Sequence, residues 1–226
     1  MAFSIHNIYR HIFRVWRVKR FDQFLRILKP AGNERLLDVG GYPGYWLGHA
    51  PVVGQVDCLN VHEVKYDPAR FPTHNIRVLL GDGCALDVAD ASYDIAFSNS
   101  VIEHVGSWEN QVKFARELRR VGRRMWCQTP ARGCPIEPHY LAPFVHWLPK
   151  GVQRRILRWL TPWGLISRPS QREVDEMVET TRLLSKKEML ELFPDCEIRV
   201  EYLLPFIPKS YVAIRTAPSA RFPAKG

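Results

Sequence analysis

Between residues 35 and 130 the chain repeats one pattern, a short apolar run followed by a polar, glycine-bearing or helical stretch. The apolar runs fall at 35–39, 55–61, 76–80, 93–98 and 124–128. Each is short and has no strict in–out alternation, which is how a strand covered on both faces reads. The intervening stretches include helical patterns at 43–48, opened by Tyr42-Pro43-Gly44, and at 108–120. In the longer one Val112, Ala115 and Leu118 recur at helical spacing and are expected to face inward. Strands joined by such crossovers must lie parallel, which predicts an α/β sheet with helices on both faces.

The flanks differ from this centre. Residues 3–28 read as an amphipathic helix, with Ile5, Tyr9, Ile12 and Trp16 on one face and Arg10, Arg14 and Arg17 on another, ended by Pro30 and Gly32. The alternation pauses after residue 129, in a stretch rich in Pro, Trp and Arg that holds a helix at 152–160, closed by Pro162 and Gly164. Regular structure resumes at Ser185-Lys186-Lys187-Glu188, which has capping-box spacing and predicts a helix running to Phe193. Apolar runs at 197–203 and 211–216 are joined by a short turn at 205–208. Strands that close together pair as an antiparallel hairpin. A frayed tail is expected after Ala217.

With 226 residues, 46% of them apolar, the chain is read as a single domain over 1–226. An amphipathic N-terminal helix lies within 1–30, and a lid insertion at 131–184 follows the fifth strand. The five cysteines (Cys58, Cys84, Cys127, Cys134, Cys196) form no Cys-x-x-Cys pair and no metal-ligand spacing, so reduced thiols in a cytoplasmic protein are expected, with Cys58 and Cys127 buried in strands. No apolar run is long enough to span a bilayer, and no signal-like segment opens the chain, so secretion is not expected. The formal net charge of +9 favours anionic partners without saying which.

The most informative segment is Leu36-Leu37-Asp38-Val39-Gly40-Gly41-Tyr42-Pro43-Gly44-Tyr45-Trp46, an apolar strand ending in an acid, then a glycine turn, then a helix. Glycines permit tight turns and close approach of a ligand to the backbone. The spacing is not the G-x-G-x-x-G of a dinucleotide site, because Tyr45 stands where the third glycine belongs, and no Gly-Lys-Ser/Thr makes it a phosphate loop. It resembles the first motif of class I S-adenosylmethionine-dependent methyltransferases, those of the type 11 kind in particular. Asp38, Gly40 and Gly44 match that motif, and the middle glycine is displaced to Gly41. The resemblance continues in order. Gly81-Asp82-Gly83 follows the third strand, the block 87–105 resembles the fourth-strand motif, and 184–216 resembles the closing helix and hairpin.

The resemblance implies a Rossmann-like, seven-stranded, mostly parallel sheet with helices on both faces and an antiparallel C-terminal hairpin. It also implies S-adenosyl-L-methionine as cofactor, held by Asp38, Gly40, Gly41, Gly44, Asn60, Asp82, Gly83, Ser98 and Asn99. Asp82 would meet the adenine amino group. Asn60 stands where the family carries an acid for the ribose hydroxyls, and Glu63 is a second candidate there.

Methyl transfer from a sulfonium needs in-line alignment in a dry site, and a base where the acceptor is an O–H or N–H. His104, after the fourth strand, and His139 and His146, in the insertion, are the candidate catalytic residues, because imidazole titrates near neutrality. A purely structural role for His104 and a lid-packing role for the insertion are the bland readings of the same residues. No metal is expected, since Glu137, His139 and His146 lack helical pairing.

The expected reaction is methyl transfer to a small-molecule or lipid-like acceptor. The alternatives are an RNA methyltransferase, which the charge favours but Ser98-Asn99-Ser100-Val101 does not, and a non-catalytic methyltransferase-like binding protein. Two basic, aromatic-rich segments, the N-terminal helix and 147–163, suggest peripheral contact with the inner face of an anionic membrane. No obligate protein partner is evident.

Overall fold

The apolar runs become the centre of one sheet. The computed structural model describes the backbone of residues 5–137 and 139–217 and the side chains of 16–137 and 139–217. Strands β1 (Arg35–Val39), β2 (Gln55–Asn60), β3 (Ile76–Leu80), β4 (Tyr93–Asn99) and β5 (Gly122–Pro130) pair in parallel. Two short strands, β6 (Ile136–Glu137) and β7 (Ala142–Pro143), make a separate hairpin within the insertion. β8 (Glu197–Leu204) and β9 (Ile207–Arg215) form the closing hairpin, and β9 lies antiparallel to β5. The order across the sheet is β3-β2-β1-β4-β5-β9-β8.

The helices are α1 (Ile5–Leu28), α2 (Pro43–Trp46), α3 (Trp108–Val121), α4 (Lys150–Leu160), α5 (Pro162–Ser167), α6 (Gln171–Thr180) and α7 (Lys186–Leu192). Successive strand residues point to opposite faces. Leu36 thus packs with Phe24 and Leu28 of α1, while Leu37 packs with Phe114 and Leu118 of α3 and Met189 of α7. Both layers are apolar, so the strands show no polar alternation. Cys58 and Cys127 are buried in the two layers as small apolar groups.

Several expectations need correction. Val112 faces outward at 42% exposure, and Phe114, two positions on, faces inward with Ala115 and Leu118. Helix α4 ends at Leu160 ahead of Pro162, as expected, but Pro162 also opens a further helix. It occupies the first turn of α5, whose N-cap Thr161 accepts from the Gly164 amide, because the first helical position needs no N–H. Helix α6 has no counterpart in the sequence reading. Its only buried residues are Val174 and Val178, and its start is a capping box of Ser170 and Glu173. The capping box at Ser185 and Glu188 is formed as expected.

Helix α1 does more than present an amphipathic face. Its C-terminal half buries Phe21, Phe24 and Leu28, which join Trp46, Phe97 and Trp126 in an aromatic wall against the sheet. The side chains of Phe3, Ile5, Ile8, Tyr9, Arg10, Ile12, Phe13 and Arg14, and the tail after 217, lie outside the described residues.

Much of the positive charge is spent internally. Asp195 pairs with Arg119 and Arg215, Arg120 with Glu117 and Asp90, and Arg124 with Glu34. Burial alone would raise the Asp195 carboxyl, but the two guanidiniums override it and hold it at about 2. The insertion leaves and returns at one place, where Ala131 bridges Leu184 beside the end of β5, and its own small core is Tyr140, Val145, Leu157, Val174 and Val178. No helix among the described residues is long and apolar enough to cross a membrane.

Candidate active site

In a parallel α/β sheet the ligand crevice lies beyond the carboxyl ends of the strands, where the strand order reverses. Here that point lies between β1 and β4. The chain leaves β1 through Gly40, which has a φ of +79° and whose amide donates to the Leu59 carbonyl at 2.7 Å. A Cβ on Gly40 would lie 2.5 Å from Val101, and one on Gly41 would lie 1.7 Å from the Asp38 carboxylate. Both positions therefore demand glycine, whereas a Cβ on Gly44 would meet nothing within 4 Å and face open space.

Asp38 sits beneath this turn. Its Oδ2 accepts from Trp46 Nε1 at 2.8 Å, and its Oδ1 is buried without a hydrogen-bond partner. Burial raises its pKa to about 7, with the Trp46 bond pulling the other way. Asn60, at the end of β2, donates its amide to the Gly41 carbonyl and so braces the turn from the side. Asp82 is exposed after β3, and its Oδ1 accepts from the Cys84 amide at 2.8 Å. Gly83 is buried, and a Cβ there would strike Phe114 and Val39 at 2.7 Å. Ser98 is fully buried and donates to the Val39 carbonyl at 3.0 Å, tying β4 to the end of β1. Asn99 accepts from Arg20 Nη1 at 3.0 Å.

The nine residues expected at the cofactor thus fall into two tiers. Gly40, Gly41, Gly44, Asn60 and Asp82 rim the crevice. Asp38, Gly83 and Ser98 stand behind it and shape it, and Asn99 is held by α1. A turn that excludes side chains at Gly40 and Gly41, opens at Gly44 and has an exposed carboxylate two strands away fits a nucleoside with an amino-acid tail.

The second half of the site lies past β4 and β5. A single helical turn, Ile102–His104, follows β4, and the insertion brings His139 against it. His104 Nε2 and His139 Nε2 are 2.9 Å apart. His139 Nδ1 meets Glu137 Oε1 at 2.5 Å, and Glu137 Oε2 accepts from the Tyr140 amide at 2.8 Å. Glu103 is fully buried; its Oε2 accepts from Thr129 at 2.9 Å, and its Oε1 has no partner. Burial raises Glu103 to about 7 against the pull of His139 and Thr129. Burial would lower His139, but the charge and hydrogen bond of Glu137 raise it overall. The edge of His104 reaches solvent, yet its partial burial and the neighbouring His139 keep its pKa below the ordinary imidazole value.

Of the three candidate catalytic histidines, the fold joins His104 and His139, which are 35 positions apart in sequence. His146 stands apart. Its Nε2 contacts the Arg132 carbonyl at 3.1 Å, and its Nδ1 is buried without a partner. It lines a cavity of about 420 Å³ under the lid together with Glu137, Tyr140, Lys150, Thr181 and Arg182. A larger hollow of about 750 Å³ lies between the 84–89 loop and α3, and shares no residue with the glycine turn or the histidine pair. Glu103 and Glu137 stand beside this pair, Glu103 through its place next to His104 and Glu137 through its contact with His139. Nothing local in the sequence marks Glu103 as buried.

Residues 37–124 match the family model described as a methyltransferase domain. Solved structures share the fold at low sequence identity. A chain of the complex between the Haloferax volcanii Trm112 methyltransferase activator and a provisionally assigned methyltransferase has a TM-score of 0.56 at 15% identity, covering 96% of this chain and 97% of that one. An S-adenosylmethionine-dependent methyltransferase from Aquifex aeolicus has a TM-score of 0.50 at 18% identity, covering 88% of each chain. A Rhodobacter sphaeroides protein whose name carries a provisional assignment as a Zn-dependent alcohol dehydrogenase has a TM-score of 0.59 at 14% identity, covering 87% of each. At such identities these likenesses concern the fold alone. The comparison with curated proteins finds no match.

The sheet order, the glycine turn and the matched domain define the class. Residues 37–124 match a methyltransferase domain, and the sheet around them has the class I, S-adenosylmethionine-dependent methyltransferase fold. That match and that fold support S-adenosylmethionine-dependent methyl transfer as the chain's chemistry.

Proposed function

We propose that the enzyme methylates a small-molecule or lipid-like acceptor that enters beneath the insertion. The observation that carries this reading is the His104–His139 pair, which lies where β4 and β5 end and beside a lid cavity that shares Glu137 with it. The cofactor lies along Gly40, Gly41 and Gly44, with its adenine toward Asp82 and its ribose toward Asn60. With the Asn60 amide nitrogen engaged at Gly41, its Oδ1 is the atom left to accept from a ribose hydroxyl. Asp38 and Ser98 support this turn from below. The acceptor's reacting atom comes to the histidine pair, which helps to remove its proton when that atom is a hydroxyl or an amine.

The outer face of the lid supports a lipid-like acceptor. Phe144, Trp159, Leu160 and Leu165 are exposed, Trp159 at 63% and Leu160 at 71%. Arg158 stacks on Trp159 at 4.9 Å, and Arg155, Arg168 and Arg172 are exposed on the same lid. Arg154, by contrast, is paired with Glu179 and Asp175. Helix α5 contacts α1, which places the N-terminal helix next to this surface. Aromatic residues favour the headgroup zone, and each nearby basic residue adds roughly 1 kcal/mol on an anionic leaflet.

The test has two arms. Vesicles containing phosphatidylglycerol should carry the protein upward in a flotation gradient at low salt and release it at high salt. Labelled S-adenosylmethionine incubated with protein and a total cell extract should transfer its methyl to the organic-solvent or small-molecule fraction. Label confined to acid-precipitable RNA would overturn the acceptor class, and protein left at the bottom of the gradient at low salt would overturn the membrane contact.

A further inference from the structure

The histidine pair sets two imidazole nitrogens face to face. His139 Nδ1 faces the Glu137 carboxylate at 2.5 Å, so that nitrogen carries a proton. Thr181 Oγ1 lies 3.4 Å from Met177 Sδ and 3.5 Å from His104 Nδ1. When Thr181 gives its proton to Met177 and both imidazoles are neutral, the two Nε2 atoms hold lone pairs aimed at each other across 2.9 Å. Two lone pairs at that distance repel unless a positive species stands between them. The buried Glu103 Oε1, which has no hydrogen-bond partner, adds a third electron-pair donor. One ligand atom from each of Glu103, His104 and His139 lies within 4.8 Å of the other two.

We propose that Glu103, His104 and His139 form a binding site for a divalent cation of the zinc type. Two imidazoles and one carboxylate, with a position left open, are a donor set that suits a zinc-type ion. The surroundings support this more than the three atoms alone. Metal-ligating side chains commonly have their second polar atom fixed by an outer partner, which orients the ligand. Here all three do: Glu103 Oε2 by Thr129, His104 Nδ1 by Thr181 and His139 Nδ1 by Glu137. The set draws on the turn after β4 and on the insertion, so sequence spacing does not reveal it. A cation there would lie beside the lid cavity, which Glu137 and Thr181 also line, and would polarise an acceptor oxygen. That consequence rests on the acceptor reading above; the binding itself does not.

The competing occupant is a single proton shared by the two imidazoles. Cobalt(II), a spectroscopic substitute for zinc, distinguishes them in the full-length protein without cofactor or acceptor. The proposal expects one cobalt per chain, visible bands of a four- or five-coordinate site, and displacement by zinc. Glu103→Gln and His104→Ala should each weaken binding at least 100-fold. Glu137→Gln, which removes only an outer partner, should weaken it about 10- to 100-fold. His62→Ala, an exposed imidazole after β2, should bind cobalt as the parent does. Circular dichroism checks that each variant is folded, and Glu137→Gln keeps the test decisive if Glu103→Gln is not. No stoichiometric binding, binding unaffected by these substitutions, or a thiolate-to-cobalt band from a cysteine site would overturn the proposal. A failed acceptor assay with intact cobalt binding would count against the acceptor class and leave the cation site standing.

Discussion

The two ends of the active-site crevice are built in different ways. The glycine-turn end comes from one continuous stretch, Asp38 to Trp46, in which the acid, the turn and the tryptophan contact one another within nine residues. The histidine end is assembled from Glu103 and His104 after β4, Thr129 at the end of β5, and Glu137 and His139 in the insertion. On the proposed reading the first end would hold the cofactor and the second would meet the acceptor; the parts of the second can change with the insertion while the sheet beneath stays the same.

Substitutions should separate the two ends. The largest effect is expected at Gly41. Alanine there would place a methyl 1.7 Å from the Asp38 carboxylate, which is buried against Trp46 and cannot swing away cheaply. Gly41→Ala should cost about 3 kcal/mol or more of stability by denaturant titration and abolish cofactor binding. At the other extreme, Gly44→Ala meets nothing within 4 Å and should change stability by no more than about 0.5 kcal/mol. Equal losses at the two positions would mean that the turn is not shaped as described.

Asp38 predicts an intermediate effect, with a definite sign. Its folded pKa of about 7 lies above the ordinary carboxyl value of 3.8, so the folded state binds more protons between those values. Stability contributed by this group is complete below pH 4 and falls as pH rises toward 7. The charges and polar groups around it are the Trp46 indole, Tyr45 and Cys58 of the neighbouring strand. Asp38→Asn should flatten the decline in stability between pH 4 and 7, as read by urea midpoints. Asp195 has the opposite sign. Its pKa near 2 means that its contribution is lost below about pH 4, and Asp38→Asn should leave that acid limb in place.

A smaller effect is expected at Asn60, where the family acid is missing. Its amide donates to the Gly41 carbonyl. Asn60→Asp would set a carboxylate against that oxygen and should weaken S-adenosylmethionine binding by about 1–3 kcal/mol. Tighter binding in the variant would show that the ribose contact outweighs the brace.

What could be read in the sequence follows the same division. The central strands, the glycine turn and the Ser185 capping box depend on residues close together in the chain, and they were legible. Helix α6 was not, because only Val174 and Val178 mark its buried side and the rest of it, Met177 apart, is polar or charged. The pairing of His104 with His139 requires knowing how the insertion folds back, a contact over 35 positions that no local period encodes. The net charge of +9 pointed to an anionic partner, yet Arg119, Arg120 and Arg124 serve internal ion pairs. Phe21 and Phe24 of α1, which the sequence reading did not single out, close the core.

Calorimetry with S-adenosylmethionine and its demethylated product tests the central claim most directly. The protein should bind each at one site per chain, the two should compete, and Asp82→Ala should weaken both by about 1–3 kcal/mol by removing the exposed acceptor after β3. If neither ligand binds the folded protein, the glycine turn is not a cofactor site and the account of this chain as a methyltransferase is contradicted.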